Sequence, residues 1–178
     1  FSESVQKGVN ARMEGIEFVK ERPDLMILID CLTLRVDVDI RPVFIYGRYR
    51  KLSRGIPQTR WPCRSCRGRS EGCEACEGTG LQYPDSVQDL IGEPFRLVLS
   101  AENTSFHGMG REDIDVRCLG RGRPFVLEVK HPRVRRTDLE EVMKAVNSNG
   151  ADKIEISDLR WTNRSEVSRV KETRAEKS

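Results

Sequence analysis

The chain has 178 residues, of which 33% are charged and only 6% are aromatic, with a formal net charge of +3. This length suffices for one hydrophobic core with a small appendage, and the charge content predicts a heavily solvated surface. No run approaches the roughly 20 apolar residues that a membrane helix needs and no secretory signal is visible, so we expect a cytoplasmic protein without a membrane partner.

The N-terminal part of the chain combines one helical pattern with several strand patterns. Apolar residues recur at helical spacing between residues 9 and 21, which predicts a helix there. Leu25–Ile29 and Leu32–Ile40 predict two strands, the second by its period-two alternation. Val43–Tyr49 predicts a third strand that leads into a basic segment.

Residues 50–85 carry no convincing period but hold four of the six cysteines, in the sequences CRSC and CEAC. Two C-x-x-C turns complete a tetrahedral thiolate shell, and the nearby glycines suit the tight turns of zinc knuckles. Disulfides are the weaker interpretation without a secretion signal. We therefore predict a structural zinc ion, closed to substrate, in an inserted basic loop. Its ligands are Cys63, Cys66, Cys73 and Cys76.

The second half of the chain alternates helix and strand patterns. Helix starts are predicted at Ser86 and, by a capping-box pattern, at Thr137, whose helix ends near Asn149–Gly150. Cys31 and Cys118 lie beside apolar residues and are predicted to be buried thiols. The remaining patterns predict a strand or buried turn at Phe95–Leu99, strands at Pro124–Lys130 and Lys153–Ile156, and a charged helix over 163–178.

Strands interrupted by helices predict an α+β domain. We expect three segments: residues 1–49 as the N-terminal part of the domain, residues 50–85 as the inserted zinc loop, and residues 86–178 as the segment that carries the chemistry. The charged C-terminal run and the first residue, Phe1 rather than Met, predict that the chain is part of a longer protein.

The most unusual stretch is Gly110–Phe125, GREDIDVRCLGRGRPF, where three carboxylates lie among four arginines. Neighbouring guanidinium groups hold a carboxylate ionised, which suits a nucleophile or a base, and arginines bind phosphates in a bidentate manner. The alternative is a charged surface turn whose ion pairs contribute about 0–1 kcal/mol each. The residues alone leave both interpretations open.

A second basic feature precedes the cysteines. Residues 47–70 contain eight arginines and lysines and no acid. Such a block is either a solvated loop or a phosphate-binding surface.

The stretch G-R-E-D-I-D-V-R, followed by L-G-x-G-R-P-F-V-L-E-V, resembles the catalytic segment of the archaeal and eukaryotic tRNA pseudouridine synthases that act in the T loop, the Pus-ten family. The same resemblance extends over about residues 23–160. It includes PDLMILID at Pro23–Asp30, VFIYGRYRKLSRGIPQTRW at Val43–Trp61, SVQDLIGEP at Ser86–Pro94, FHGMG at Phe106–Gly110 and K-x-P-R-x-R-R at Lys130–Arg136.

The resemblance implies an isomerase that converts uridine to pseudouridine, with Asp113 as the essential aspartate and no organic cofactor. Asp113 would attack the ribose C1′ or remove a proton at C2′. Arg111 would bind the substrate and keep the uridine extruded from its stack, and Asp115 would orient a neighbouring donor. The fold implied is part of the pseudouridine-synthase fold, a mainly antiparallel sheet flanked by helices.

The partner implied is the T arm of tRNA, and no protein partner is evident. Further contacts to phosphate and sugar are expected from the basic block and from the acid-rich stretch. They are Arg48, Arg50, Lys51, Arg54, Gln58, Thr59, Gly110, Arg117, Arg121, Arg123, Lys130 and Arg133.

Two features of the family have no counterpart here: an N-terminal RNA-binding region and a Lys-x-Tyr motif whose tyrosine stacks on the target base. We therefore expect only part of the catalytic pocket, and a chain that is inactive when isolated. The alternative function is a zinc-stabilised RNA-binding module without chemistry of its own.

Overall fold

The computed structural model describes residues 1–172. The chain divides into two compact units, the first comprising Phe1–Arg41 and the second beginning at Pro42. Within the described residues, every helix is too short or too polar to cross a membrane.

The first unit contains one helix and one β-hairpin. Helix α1 spans Ser2–Asn10, and strands β1 (Leu25–Asp30) and β2 (Arg35–Ile40) pair antiparallel. Both predicted strands are confirmed, although residues 32–34 belong to the turn. The carboxylate of Asp30 shapes that turn by accepting hydrogen bonds from the backbone N–H groups of Leu32 and Thr33 at 2.9 and 3.2 Å.

The helix predicted over residues 9–21 is wrong, because α1 lies earlier and ends at Asn10. Met13 and Phe18, which gave the helical pattern, have 58% and 44% of their surface exposed. Short helices owe most of their stability to packing of their apolar face. A pattern with nothing packed on it therefore does not produce a helix here.

The second unit is built on a four-stranded antiparallel sheet in the order β4-β5-β3-β6. The first unit's hairpin and this sheet confirm the predicted α+β class. The strands are β3 (Val43–Lys51), β4 (Asn103–Gly108), β5 (Cys118–Lys130) and β6 (Ile154–Thr162), and the helices are α2 (Val87–Val98), α3 (Leu139–Asn149) and α4 (Arg164–Glu172).

Alternation along the central strands gives the sheet two apolar faces. On one face, Ile45, Tyr49, Phe125 and Leu127 are fully buried in the core that α2 and α3 complete. On the other, Phe44, Tyr46 and Val126 pack with residues of α4. The strands predicted at Val43–Tyr49, Pro124–Lys130 and Lys153–Ile156 are confirmed but are longer, whereas β4 was not predicted.

Helix boundaries agree with the sequence patterns except at one cap. Ser86 caps α2, its hydroxyl accepting a hydrogen bond from the N–H of Asp89. Phe95–Val98 is the end of this helix and Leu99 is its C-cap. Of the two predictions for Phe95–Leu99, the helical turn is therefore correct and the strand is wrong. The N-cap of α3 is Asp138 rather than Thr137, because the Asp138 carboxylate accepts hydrogen bonds from the backbone N–H groups of Glu140 and Glu141.

The predicted C-terminal helix is confirmed as α4 for Arg164–Glu172. The remainder of that prediction, residues 173–178, lies outside the described residues. Residues 52–85 contain no long regular element, only a single 3₁₀ turn at Glu74–Cys76 and an isolated bridge between Pro62 and Leu81.

Candidate functional site

The acid-rich stretch forms a loop between β4 and β5, residues 109–117, which we call the acidic loop. Gly110, the second residue of this loop, has a left-handed φ of +66°. Exposure then alternates: Arg111 and Asp113 are exposed, and Glu112 between them is buried. The two adjacent acids are therefore divided between solvent and interior.

Glu112 is bound beneath the loop by three side chains. The Tyr49 hydroxyl donates to both of its carboxylate oxygens at 2.8 Å, and the Gln58 amide donates at 3.0 Å. The Arg123 guanidinium lies 3.4 Å away and also donates to the Met109 carbonyl oxygen at 2.8 Å. Burial, followed by the charge of Glu112, raises the pKa of Tyr49, so its phenol remains a hydrogen-bond donor.

Lys51 supports the same loop from within the protein. Its side chain is fully buried. The ammonium donates to the carbonyl oxygens of Ile56, Asp113 and Ile114 at 3.0, 3.0 and 3.1 Å. Lys51 and Glu112 thus fix the backbone on which Asp113 is carried.

Asp113 itself faces solvent. Among residues 1–172, its carboxylate has no hydrogen bond or ion pair. The expectation of an acid bound among arginines therefore fits Glu112, through Arg123, and not Asp113. The backbone at 114–115 forms a turn, and Asp115 is exposed.

Gly108 allows the close approach of Gln58 to this loop. A Cβ atom at position 108 would lie 2.8 Å from the Gln58 amide nitrogen, which also donates to the Tyr49 hydroxyl and to the Gly110 carbonyl oxygen. Because these acceptors hold Gln58 in place, it cannot move aside without losing hydrogen bonds.

We expect Gly108→Ala to lower the free energy of unfolding of the second unit by about 1–3 kcal/mol, the cost of an overpacked site. Urea unfolding of the 178-residue chain, followed by circular dichroism, measures it. Gly8→Ala is the matched control, because an added methyl group there meets only the Arg12 side chain, at 3.6 Å. Equal stability of both variants would show that Gln58 is not fixed.

The four cysteines of the two C-x-x-C pairs converge. Their sulfur atoms all lie within 4.8 Å of one another, with Cys63–Cys73 at 4.0 Å and Cys66–Cys76 at 3.8 Å. Four sulfurs bound tetrahedrally at about 2.3 Å from one ion lie about 3.8 Å apart. This set of donors could therefore bind a metal ion. Residues 62–82, which carry it, are called the metal loop below.

The two halves of the metal loop follow the same backbone path. Arg67–Gly68 have φ values of +53° and +84°, and Glu77–Gly78 have +49° and +76°. The N–H of Arg69 donates to the carbonyl oxygen of Cys66, and that of Thr79 to the carbonyl oxygen of Cys76, at 3.1 and 2.9 Å. The first pair, CRSCRG, is thus a knuckle like the second, CEACEG.

Backbone N–H groups point at the sulfurs and stabilise their thiolate forms. Gly80 donates to the Cys76 sulfur at 3.2 Å. The N–H groups of Ser70 and Gly68 lower the pKa of Cys66 to about 6, and the N–H of Cys66 lowers that of Cys63. A hydrogen bond that the Cys73 thiol donates to Cys76 raises the pKa of Cys73 to about 11.

The predicted RNA contacts divide by exposure. Lys51 and Gln58 are buried and spend their donors on the acidic loop, so they have no surface to offer a nucleic acid. Arg48 donates to the carbonyl oxygens of Arg121 and Gly122, both at 2.7 Å, and Arg50 pairs with Glu155. The exposed members of the set are Arg54, Gly110, Arg111, Arg117, Arg121 and Arg133, and the partly buried ones are Thr59, Arg123 and Lys130.

The prediction of two buried thiols is wrong for Cys31, which is exposed in the hairpin turn, and Cys118 is only partly buried at the start of β5. The sequence predicted a supporting role for Glu112 but not the contacts of Tyr49 and Lys51 with the acidic loop. One signal existed: Tyr49 and Lys51 alternate with Arg48 and Arg50 along β3, so one pair had to face the interior.

The comparison with known families agrees with this geometry. A family model described as "Pus10, C-terminal" matches residues 44–178. The chain belongs to this family.

Individual relatives support membership in the Pus10 C-terminal family. A protein named tRNA pseudouridine synthase Pus10 from Methanothermobacter marburgensis is 51% identical over 158 residues, which are 88% of this chain and 39% of that protein. The proteins of the same name from Methanocaldococcus jannaschii and Archaeoglobus fulgidus are 51% and 47% identical, over 80% and 88% of this chain. The chain spans 30% and 43% of their lengths.

Proposed function

We propose that the protein carrying this chain is a tRNA pseudouridine synthase that isomerises uridine in the T loop, with Asp113 as the catalytic residue. One observation carries the proposal: Asp113 is exposed, without a partner among residues 1–172, on a loop whose backbone is fixed by buried groups. A carboxylate that must meet substrate has to be accessible and free of competing partners, yet held in place.

The reaction breaks the N–C bond between uracil and ribose, turns the detached base and rejoins it through carbon. The ionised Asp113 attacks the ribose C1′ or takes a proton from C2′, and both routes need one free carboxylate. Because substrate and product are isomers, the residues present need supply no redox equivalent. Arg111, also exposed and two residues away, is proposed to bind the extruded nucleotide.

Exposed arginines of the acidic loop, of the basic block, of β5 and of the segment after β5 are proposed to bind phosphates of the T arm. They comprise Arg54, Arg111, Arg117, Arg121 and Arg133. Lys51, Gln58, Arg48 and Arg123 are reassigned from RNA contact to support of the loop and of its neighbour β5.

Zinc is the metal we propose for the four-cysteine site, since four thiolates at tetrahedral spacing suit zinc, and a closed shell is structural. Residues 52–85 bury few apolar side chains, so a bound zinc ion, and not a hydrophobic core, would keep this segment folded. We also propose a cytoplasmic location, because six unpaired cysteines suit a reducing compartment.

We expect Asp113→Asn in the longer protein to reduce pseudouridine formation by at least about 100-fold, since it removes the base or nucleophile and keeps the side chain's size. Unmodified tRNA transcript is incubated with each protein, and pseudouridine is mapped by carbodiimide-blocked reverse transcription. Binding of tRNA is expected to change little.

Asp152→Asn is the matched control, because Asp152 is exposed in the turn before β6 at φ +64°, a conformation that asparagine also adopts. T-loop stops with wild type and Asp152→Asn, but not with Asp113→Asn, support the enzyme. If wild type binds tRNA tightly and gives no stops, the protein is instead a zinc-stabilised RNA-binding module.

A further inference from the structure

The metal loop and the acidic loop meet at one aromatic side chain. The Arg111 guanidinium carbon lies 5.5 Å from the centroid of the Trp61 ring. The rings of Trp61 and Tyr83 in turn pack in a T-shaped arrangement, with ring centroids 5.5 Å apart at 75°. Trp61 and Tyr83 directly flank the metal loop on its two sides.

The stem of the metal loop fixes Trp61. Pro62 pairs antiparallel with Leu81. The Trp61 carbonyl oxygen accepts from the N–H of Gln82 at 2.9 Å, and the N–H of Cys63 donates to the Gly80 carbonyl oxygen at 2.8 Å. Since Cys63 is itself one of the four clustered cysteines, closing the sulfur cluster also closes the stem that carries Trp61.

Within residues 1–172, the Trp61 ring is the anchor of the Arg111 side chain. Among the described residues, its guanidinium makes neither a hydrogen bond nor an ion pair, and the Trp61 ring is its one aromatic contact. Its neighbour Glu112 is held from below by Tyr49 and Gln58. The backbone of the acidic loop is therefore fixed by the buried groups, and the direction of the Arg111 side chain by Trp61.

The kind of contact matters for binding an anion. A carboxylate partner would occupy the N–H donors that a phosphate needs, whereas a ring face holds the guanidinium plane and leaves those donors free. A ring is thus the suitable anchor for an arginine that must remain available to a nucleotide.

We propose that Trp61 is a positioning residue that couples the four-cysteine metal site to Arg111. When zinc is bound, the stem holds Trp61 against Tyr83, and the Trp61 ring fixes the direction of the Arg111 side chain on the acidic loop. When zinc is lost, the stem opens and Arg111 loses its anchor. The inference rests on the proposed function, in which Arg111 binds the substrate nucleotide.

A double-mutant cycle tests the contact in the longer protein. Trp61→Leu is expected to lower the single-turnover rate of pseudouridine formation about two- to fivefold, the range of an exposed cation–π contact. Arg111→Ala is expected to lower it at least tenfold, on the order of a lost charged hydrogen bond. The double variant should match Arg111→Ala alone, and a loss equal to the product of both effects would overturn the proposal.

Two further variants separate positioning from folding. Trp61→Phe keeps a ring face and should retain the rate within about twofold. Trp161→Leu removes the other tryptophan, which lies under Arg136 at 4.7 Å, and should combine independently with Arg111→Ala. A Trp61→Phe variant as impaired as Trp61→Leu would argue against a role for the ring.

Fluorescence tests the coupling to zinc without any activity measurement. In a Trp161→Phe background, Trp61 is the only tryptophan of this chain, and tryptophans elsewhere in the longer protein are replaced as well. Removing zinc with a chelator should shift the Trp61 emission to longer wavelength, and zinc should restore it. The matching Trp61→Phe protein, with Trp161 retained, should not respond.

An unchanged Trp61 emission after verified loss of zinc, or a protein that binds no zinc, would refute the coupling. If wild type forms no pseudouridine at all, the proposed function fails instead. The same cycle is then measured on the affinity for tRNA, where additive effects of Trp61→Leu and Arg111→Ala would still overturn the contact.

Discussion

Replacing Lys51 with methionine is expected to lower the free energy of unfolding of the second unit by about 2–3 kcal/mol. Methionine fills a similar volume but cannot donate to the carbonyl oxygens of Ile56, Asp113 and Ile114. The last two accept from other N–H groups, those of Val116 and Gly55, so the Ile56 carbonyl carries most of the cost. Urea unfolding of the 178-residue chain provides the measurement.

Lys153→Met is the control for the loss of a lysine. Its ammonium pairs with Asp85 at 2.6 Å, but 45% of the side chain is exposed, so the variant should lose less than about 1 kcal/mol. Similar losses in both variants would contradict the supporting role assigned to Lys51.

The stability difference between wild type and Lys51→Met should also depend on pH. Burial is the largest cause that lowers the pKa of Lys51 below its ordinary value of 10.5. Between the lowered pKa and 10.5 the unfolded chain binds more protons than the folded chain, so wild-type stability rises with pH in that window. The difference in free energy of unfolding between wild type and Lys51→Met should therefore increase with pH in that window. A difference that decreases would mean that the folded protein prefers the charged form of Lys51.

Cys76→Ser is expected to remove bound zinc and to unfold the metal loop locally. Zinc binding contributes on the order of 10 kcal/mol to the folding free energy of small zinc domains. Between residues 52 and 85, few residues are buried apart from Ile56, Cys63 and Cys76. Trypsin should then cut after Arg64, Arg67 and Arg69, at least tenfold faster than in wild type. Mass spectrometry of the fragments and zinc analysis provide the measurement.

Cys31→Ser is the matched control, because this thiol is exposed in the hairpin of the first unit. It should keep its zinc and its resistance to trypsin. A Cys76→Ser variant that resists trypsin as well as Cys31→Ser would mean that the metal loop is ordered by packing alone.

Local patterns predicted the elements that the core stabilises. The Ser86 cap, the helix predicted to end near Asn149–Gly150 and the strand predicted at Val43–Tyr49 all coincide with buried side chains such as Val87, Val146 and Ile45. The helix over 9–21 failed because periodicity describes which face can be buried, and does not establish that anything covers it. Strand β4, NTSFHG, has no buried residue and correspondingly little apolar pattern.

In the candidate site, too, contacts between neighbours in sequence were predicted and contacts between distant residues were not. The C-x-x-C spacing predicted the convergence of the four cysteines, because the ligands of each pair are neighbours in sequence. The contacts of Glu112 with Tyr49 and of Lys51 with Asp113 join residues 63 and 62 positions apart. Such pairs depend on strand register, and composition cannot separate a buried lysine from the exposed arginines around it.

The alternation at Arg111, Glu112 and Asp113 has a consequence for which changes the loop tolerates. Counted from Gly110, a deletion of Arg111 would bring Asp113 into the pocket of Tyr49 and Gln58 and leave Glu112 in solvent. An insertion directly after Gly110 would instead bring Arg111 into that pocket. Neither place would then be filled correctly. The number of residues in this short span is therefore constrained as strongly as their identity, and indels should be rarer here than substitutions.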